Sequence, residues 1–476
     1  MSNYYIAVDI GASSGRLIAA WLDNGIMKTE EIHRFDNGVV RKNGHLCWEI
    51  DKLFCEIKEG LKKCKAVGKI PTTVGIDTWA VDFVLLDKNG EVIGDTVAYR
   101  DNRTDGMIEK VAQIVPQLEQ YERTGIQPQV FNTIYQLMAA KDELNKAEKL
   151  LFVPEYLNYL LTGVMMTEYT NASTSGMVSA KTKNWDEDII NRLGYKKEIF
   201  GEIHMPSTVV GKLKDEIADE VGFSCDIILP CTHDTGSAVL AVPSNEKALY
   251  ISSGTWSLMG CEIMEPDVSE ESLKLGFTNE GGYDYRFRYL KNIMGLWMIQ
   301  SVRRELNKKY SFDELCDMAR ESTFDEIIDV NDKSFLAPDS MINAISDYCK
   351  NNSLKQPQSI GDTVRTIYHS LAKCYADTVN GMEKMLGVTF GTVNIVGGGS
   401  KDGYLNELTA KYTGKPVTAG PTEATAIGNI LVQMIAAGEI KDLAEARQVV
   451  KNSTAIKVYK PQNTALYEEA YERYLK

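Results

Sequence analysis

Two short turns of glycine and hydroxyl side chains, each following an apolar strand and separated by about half the chain, constrain this sequence more than any other feature. The first runs Ile6-Ala7-Val8-Asp9-Ile10-Gly11-Ala12-Ser13-Ser14-Gly15-Arg16-Leu17, the second Leu249-Tyr250-Ile251-Ser252-Ser253-Gly254-Thr255-Trp256-Ser257-Leu258. Small residues let backbone N–H groups and hydroxyls close around a ligand, and concave runs of N–H groups bind anions, most often phosphate. After each turn an apolar alternation resumes, which predicts a strand-to-strand hairpin and not a strand-to-helix loop. The chain contains no GxxxxGK followed by Ser or Thr and no GxGxxG opening a helix, so the common nucleotide loops lose their main support. Singly, each turn reads as an ordinary tight hairpin. Together they read as one motif used twice.

A chain of 476 residues exceeds a single core, and two domains, 1–243 and 244–476, are expected. A net charge of -14 argues against nucleic acid or an anionic membrane as the main partner, while a locally positive pocket can still take an anionic nucleotide. The nine cysteines are scattered and form no CxxC, against zinc and against a disulfide scaffold. With no signal-like N-terminus and no long uncharged apolar run, a cytoplasmic protein is expected.

Strands at 6–10, 17–22 and 28–35, a helix over 51–65 and a strand at 73–77 follow in the order of a ribonuclease H-like core. After Tyr250 the pattern restarts, with strands at 249–252 and 257–263, a helix over 360–386, a strand at 392–396 ending on Gly397-Gly398-Gly399-Ser400, and helical sequence from 423 to 437. The expected fold is α/β, two ribonuclease H-like (actin-like ATPase) domains with a catalytic cleft between them. A hinge is expected between about 240 and 249, and an amphipathic tail over 463–475.

Asp9 and Asp77 sit at the ends of apolar strands, where a carboxylate is costly unless it meets a cleft, an ion or hydrogen-bond donors. Asp9, just before the first turn, is placed either to hold Mg²⁺ through water or to cap the turn. The polar His233-Asp234-Thr235 core of Leu229 to Ala238 reads as a strand running into a site and then into a helix. Asp234 is either that helix's N-cap or the base that accepts a hydroxyl proton during phosphoryl transfer. His233 either orients substrate or is a hydrogen-bonded structural residue.

These blocks, with Gly75-Ile76-Asp77-Thr78-Trp79-Ala80-Val81-Asp82-Phe83 and Gly397-Gly398-Gly399, resemble the FGGY family of carbohydrate kinases over nearly the whole chain. Ala12-Ser13-Ser14-Gly15-Arg16, Phe131-Asn132-Thr133-Ile134-Tyr135-Gln136-Leu137, Thr278-Asn279-Glu280-Gly281-Gly282 and Lys291-Asn292-Ile293-Met294-Gly295-Leu296-Trp297 narrow it to the branch acting on L-rhamnulose, as do Gln136 and Ala139 where the broad family carries Lys and Trp. The resemblance implies ATP and Mg²⁺, with Asp234 taking the proton of the sugar's C1 hydroxyl. It implies that Ala12, Ser13, Ser14, Gly15, Arg16 and Thr255 hold phosphates, with Mg²⁺ near Asp9. Gly398, Gly399 and Gln300 would meet the nucleotide, and Ala80, His233, Thr235 and Asn292 would line the sugar pocket, with Trp79 as an apolar wall or a core aromatic. Ala80 replaces a glycine expected in that branch, and its methyl narrows the pocket. A monomer or homodimer is implied, with no nucleic acid or membrane partner. Two other readings compete: a kinase for L-fuculose or xylulose, and a non-catalytic actin-like sugar sensor or filament former.

Overall fold

The protein is described by a computed structural model covering residues 3–244 and 248–461, so Asn245 of the expected hinge and the 463–475 tail lie outside the described residues. The chain forms two compact units and passes between them repeatedly. The first unit comprises the N-terminus to Pro243, Glu262–Tyr289 and Ala424–Ser453, and the second Ser244–Cys261, Leu290–Glu423 and the described residues from Thr454 onward.

In the first unit, β1 (Tyr5–Ile10), β2 (Ser14–Asp23), β3 (Ile26–Asp36), β4 (Thr73–Thr78), β5 (Val209–Lys212) and β6 (Asp226–Ile228) form one sheet in the order β5-β6-β4-β1-β2-β3. β1 pairs antiparallel with β2 and parallel with β4, bringing Asp9 opposite both Arg16 and Asp77. All six β1 residues are buried, as in a central strand covered on both faces, and Asp9 is carried inside with them. The Ile50–Ala66 helix lays Leu53, Ile57, Leu61 and Cys64 on the sheet at helical spacing. Its Gly60 admits Leu17, whose side chain would lie 2.5 Å from an added Cβ. Between β4 and β5 the chain builds a second apolar core around Phe83, Ile134, Leu137, Leu150 and Phe152.

The Asp234–Leu240 and Ala424–Ala436 helices cross so closely that a Cβ on Gly428 would sit 1.8 Å from the Ser237 carbonyl oxygen. Gly428→Ala is expected to lower the free energy of unfolding by about 1–3 kcal/mol. The gain in helix propensity, about 1 kcal/mol, does not offset a clash with backbone that no rotamer relieves. Denaturant titration checks this, and unchanged stability would disprove the close crossing.

In the second unit, β7 (Leu249–Ser253) pairs antiparallel with β8 (Trp256–Ile263) and parallel with β10 (Val393–Val396), following β9 (Phe287–Met294) in the chain. β11 (Val417–Ala419) and β12 (Lys457–Tyr459) continue the sheet beyond β10. Both glycine turns therefore close hairpins, and each hairpin's first strand has a parallel partner, the repeated ribonuclease H-like arrangement expected from the sequence. The long helix runs Ile360–Leu386, started by the Ser359 side chain accepting from Asp362 N–H and stopped at Gly387 with φ 61°. None of the nine cysteines forms a disulfide. Among the described residues, no helix is long and apolar enough to cross a membrane.

Candidate active site

Asp9 ends on the first turn with its carboxylate held across the strand pair by Arg16, whose Nε and Nη2 donate to Oδ2 at 3.0 and 2.8 Å. The turn is braced from β3's end: Asn37 N–H donates to Ser13 O and Asn37 Nδ2 to Gly11 O. Ser13 is exposed, and Ala12 and Ser14 are partly so. Gly15 faces inward, where an added Cβ would lie 2.2 Å from the Phe35 ring. Its small size is therefore required by core packing.

Asp77 is fully buried beside Asp9. Asn429 Nδ2 donates to its Oδ2 at 2.6 Å, and Oδ1 has no hydrogen-bond partner among the described residues. Burial, then the Asp9 charge, pushes the Asp77 carboxyl well above the usual carboxylate range. Asn429, braced by Gln433 Nε2 donating to its Oδ1 at 2.7 Å, reaches it because position 75 is glycine: a Cβ there would meet Asn429 Oδ1 at 2.5 Å and Gln433 Nε2 at 2.9 Å.

Asp234 is the first helical residue, after His233 at the N-cap, and no side chain caps the helix. Its Oδ1 accepts from Thr235 N–H at 2.6 Å and from Thr235 Oγ1 at 3.2 Å, and about a third of its side chain (34%) remains exposed. Desolvation by the surrounding protein and the charge of Asp9 push its carboxyl up to about 7. An accessible carboxylate with a raised affinity for protons suits a general base.

The fully buried Arg288 sets the state of His233. Arginine has only donors, so its Nη2, 3.0 Å from His233 Nδ1, makes Nδ1 the acceptor and leaves the imidazole proton on Nε2. That nitrogen lies 3.5 Å from Asp234 Oδ1. Burial and Arg288 hold His233 well below the ordinary histidine range, so the ring is neutral. Arg288 Nε donates to Gly281 O at 2.9 Å, and Nη1 lies 3.1 Å from Glu280 Oε2 at an angle that makes an ion pair without a hydrogen bond.

Thr78 N–H donates to Thr232 O, and two residues on lies the partly exposed Ala80. The chain then folds over Val81, whose φ of 69° is an outlier for a β-branched residue, onto the buried Asp82. Asp82 accepts from Trp48 Nε1, Trp79 Nε1, Tyr99 N–H and Gln136 Nε2 at 2.6, 3.0, 3.0 and 2.9 Å. Even with these donors, burial pushes its carboxyl up to about 6. Trp79 is a buried aromatic stacked 4.0 Å from Trp48 and fixed by Asp82.

The second unit gathers a different set. Leu296 N–H and Trp297 N–H donate to Gly254 O and Thr255 O, placing the start of the Trp297–Glu305 helix, which carries Gln300, against the second turn. Gly295 permits this, since a Cβ there would lie 2.6 Å from Ser257 N. Gly397, at φ 83°, and Gly399 fold over Ser253, where a Cβ on Gly399 would fall 1.9 Å from Oγ. Gly398 alone of the three faces open space. Asn292 is partly exposed on β9. Thus Asp9, 12–16, Ala80 and 233–235 belong to the first unit, and Thr255, Asn292, Gln300, Gly398 and Gly399 to the second.

Models of the N- and C-terminal domains of the FGGY family of carbohydrate kinases match residues 4–241 and 249–437. The chain belongs to this family. It is therefore a sugar kinase. Among curated relatives, it is 48% identical to a rhamnulokinase of Oceanobacillus iheyensis and 49% identical to one of Halalkalibacterium halodurans, each match covering 96% of this chain and 98% of the relative. Its fold is similar to a gluconate kinase from Lactobacillus acidophilus (TM-score 0.79, 17% identity, 100% and 97% of the two chains) and to Plasmodium falciparum glycerol kinase with ADP (0.77, 14%, 100% and 99%).

No sequence motif assigns a site role to the FGGY kinase's Arg288, Glu280, Asp82, Asn37 or Asn429, although Asp82 and Glu280 stand in the blocks that carry the family resemblance. Arg288 and Asp82 leave a trace there, each a lone charge in an apolar run (Phe287-Arg288-Tyr289-Leu290 and Val81-Asp82-Phe83-Val84).

Proposed function

We propose that this kinase transfers the γ-phosphoryl group of ATP to the C1 hydroxyl of L-rhamnulose, giving L-rhamnulose 1-phosphate and ADP in L-rhamnose catabolism. The observation that carries the substrate is the identity of 48–49% to rhamnulokinases over 96% of the chain. In this reading Asp234 Oδ accepts the C1 hydroxyl proton as that oxygen attacks phosphorus, and the proton of His233 Nε2 holds the carboxylate or a sugar oxygen in place. Ala80, Thr235 and Asn292 contact the sugar. The first turn, with Arg16, and Thr255 hold phosphate oxygens, while Gln300, Gly398 and Gly399 contact the nucleotide.

The acidic strand ends suit a cation. Asp77 keeps a buried oxygen with no hydrogen-bond partner among the described residues, and the charge of Asp9 raises both Asp77 and Asp234. Among the described residues no three His, Cys, Asp or Glu side chains are grouped to cage an ion. Asp9, with Asp77 behind it, would hold Mg²⁺ through one or two carboxylates, water and phosphate. When bound, Mg²⁺ neutralises charge on the transferred group. The protein acts in the cytoplasm as a monomer or homodimer, with sequence domains 1–243 and 244–476, of which Glu262–Tyr289 and Ala424–Ser453 of the second belong to the first compact unit.

ADP release with Mg-ATP is measured across L-rhamnulose, L-fuculose, D-xylulose, L-ribulose and glycerol. The highest kcat/KM is expected for L-rhamnulose. A higher value for another ketose would reassign the substrate, and Ala80→Gly then tests whether the methyl is the cause.

A further inference from the structure

A cavity of about 360 Å³ opens in the second unit between the Phe312–Glu321, Ile360–Leu386 and Gly403–Thr413 helices, at the small end of the range for metabolite sites. Among the described residues its charged lining is Arg320, Arg365, Lys411 and Lys460 with the carboxylate of Glu407, in a protein whose net charge is -14. The cations are arranged for more than mutual solvation. Arg365 spends Nε and Nη1 on the Phe324 and Ala319 carbonyls at 2.6 and 3.2 Å, which fixes the guanidinium plane and leaves Nη2 without an acceptor among the described residues. Arg320 is stacked 4.4 Å over the Tyr404 ring and satisfies Glu407 at 2.7 Å, so that carboxylate is already paired. Lys411 lines the cavity from an exposed position on the Gly403–Thr413 helix. His369 sits between the hydroxyls of Tyr412 (2.9 Å) and Tyr404 (3.2 Å).

From the cationic lining of this cavity and the guanidinium of Arg365 held with an N–H to spare, we infer that it binds a small phosphate monoester, such as a sugar phosphate. A guanidinium with a spare N–H, an ammonium and the Tyr404 hydroxyl, free to donate when His369 accepts from Tyr412, match the three acceptor oxygens of that group. This site is separate from the residues assigned to catalysis and does not depend on which sugar the kinase uses. Burial, Arg365 and Lys411 hold His369 down at about 4, and an anion bound between those cations raises it.

His369 reports occupancy directly. With only five histidines in the chain, the imidazole signals of the full-length protein are followed by two-dimensional NMR, His369 being assigned by its loss in His369→Gln. The probes are inorganic phosphate, glucose 6-phosphate and L-rhamnulose 1-phosphate, with L-rhamnulose as the neutral control. Saturable shifts of the His369 signals at millimolar or lower concentration, with an upward-moving titration midpoint, are expected for the esters and not for the neutral sugar. Lys411→Glu, an exposed position, is expected to weaken this binding tenfold or more and leave basal kinase activity unchanged. A response to both esters supports a general phosphate-ester site, and a response to L-rhamnulose 1-phosphate alone supports a site for the enzyme's own product. No His369 response to any ester, a response to inorganic phosphate only, or one that survives Lys411→Glu would overturn the inference.

Discussion

Asp234→Asn is expected to lower kcat by about 10²–10⁴-fold, the usual contribution of a positioned proton acceptor. The amide keeps an oxygen for the Thr235 N–H, so the helix start is preserved while the proton acceptor is lost. In the unsubstituted enzyme the active form of Asp234 is the carboxylate, so kcat/KM should rise with pH and level off above about 7. The same carboxyl has an opposite effect on stability. Its affinity for protons is raised from 3.8 to about 7 on folding, so the folded state binds more protons than the unfolded state across that window. The stability it contributes is complete below 3.8 and is lost as pH rises towards about 7. Asp234→Asn cannot ionise, so its melting temperature relative to the parent should climb over that interval. A variant retaining more than a tenth of the parent kcat would exclude Asp234 as the base.

Arg288→Met is expected to destabilise the fold by about 3–5 kcal/mol, the cost of removing one partner from a buried ion pair. Arg288 is fully buried, and its loss would strand the Glu280 carboxylate, which burial already pushes upward in proton affinity, as well as the Gly281 carbonyl. Adding Glu280→Gln should recover a large part of the loss, because most of the cost is the unpaired charge. With Nδ1 released from its donor, the His233 imidazole can shift its proton from Nε2, which ¹⁵N imidazole shifts detect. Denaturant titration of the single and double variants decides the matter. A single-variant loss under about 1 kcal/mol, the ordinary mutational range, would show that the pair does not anchor His233.

Much of the architecture was legible because it is local. Alternation after each glycine turn marked β2 and β8, the sequence over 360–386 read as the long helix, and the apolar spacing from Leu53 to Cys64 marked the helix on the first sheet. The stretch between β4 and β5 was not legible, since its short helices and strands form a core with one another and carry no long periodic signal. The Asp234 segment could be singled out, but N-cap and base had the same local pattern. In the structure His233 occupies the cap position and Asp234 the first turn.

What the sequence by itself determined was the repeated hairpin, the acidic strand ends and the kinase family, because each is written in neighbouring residues. The tertiary structure decided which charges meet. Asn429 reaches Asp77 across 352 positions, Arg288 reaches His233 across 55, and Ala424–Ser453 returns to the first unit after the chain has built most of the second. Proton affinities at Asp77, Asp82, Asp234 and His233 follow from burial and from charges brought close by those distant pairings. Both quantities depend on separation in space, which the order of residues along the chain does not contain.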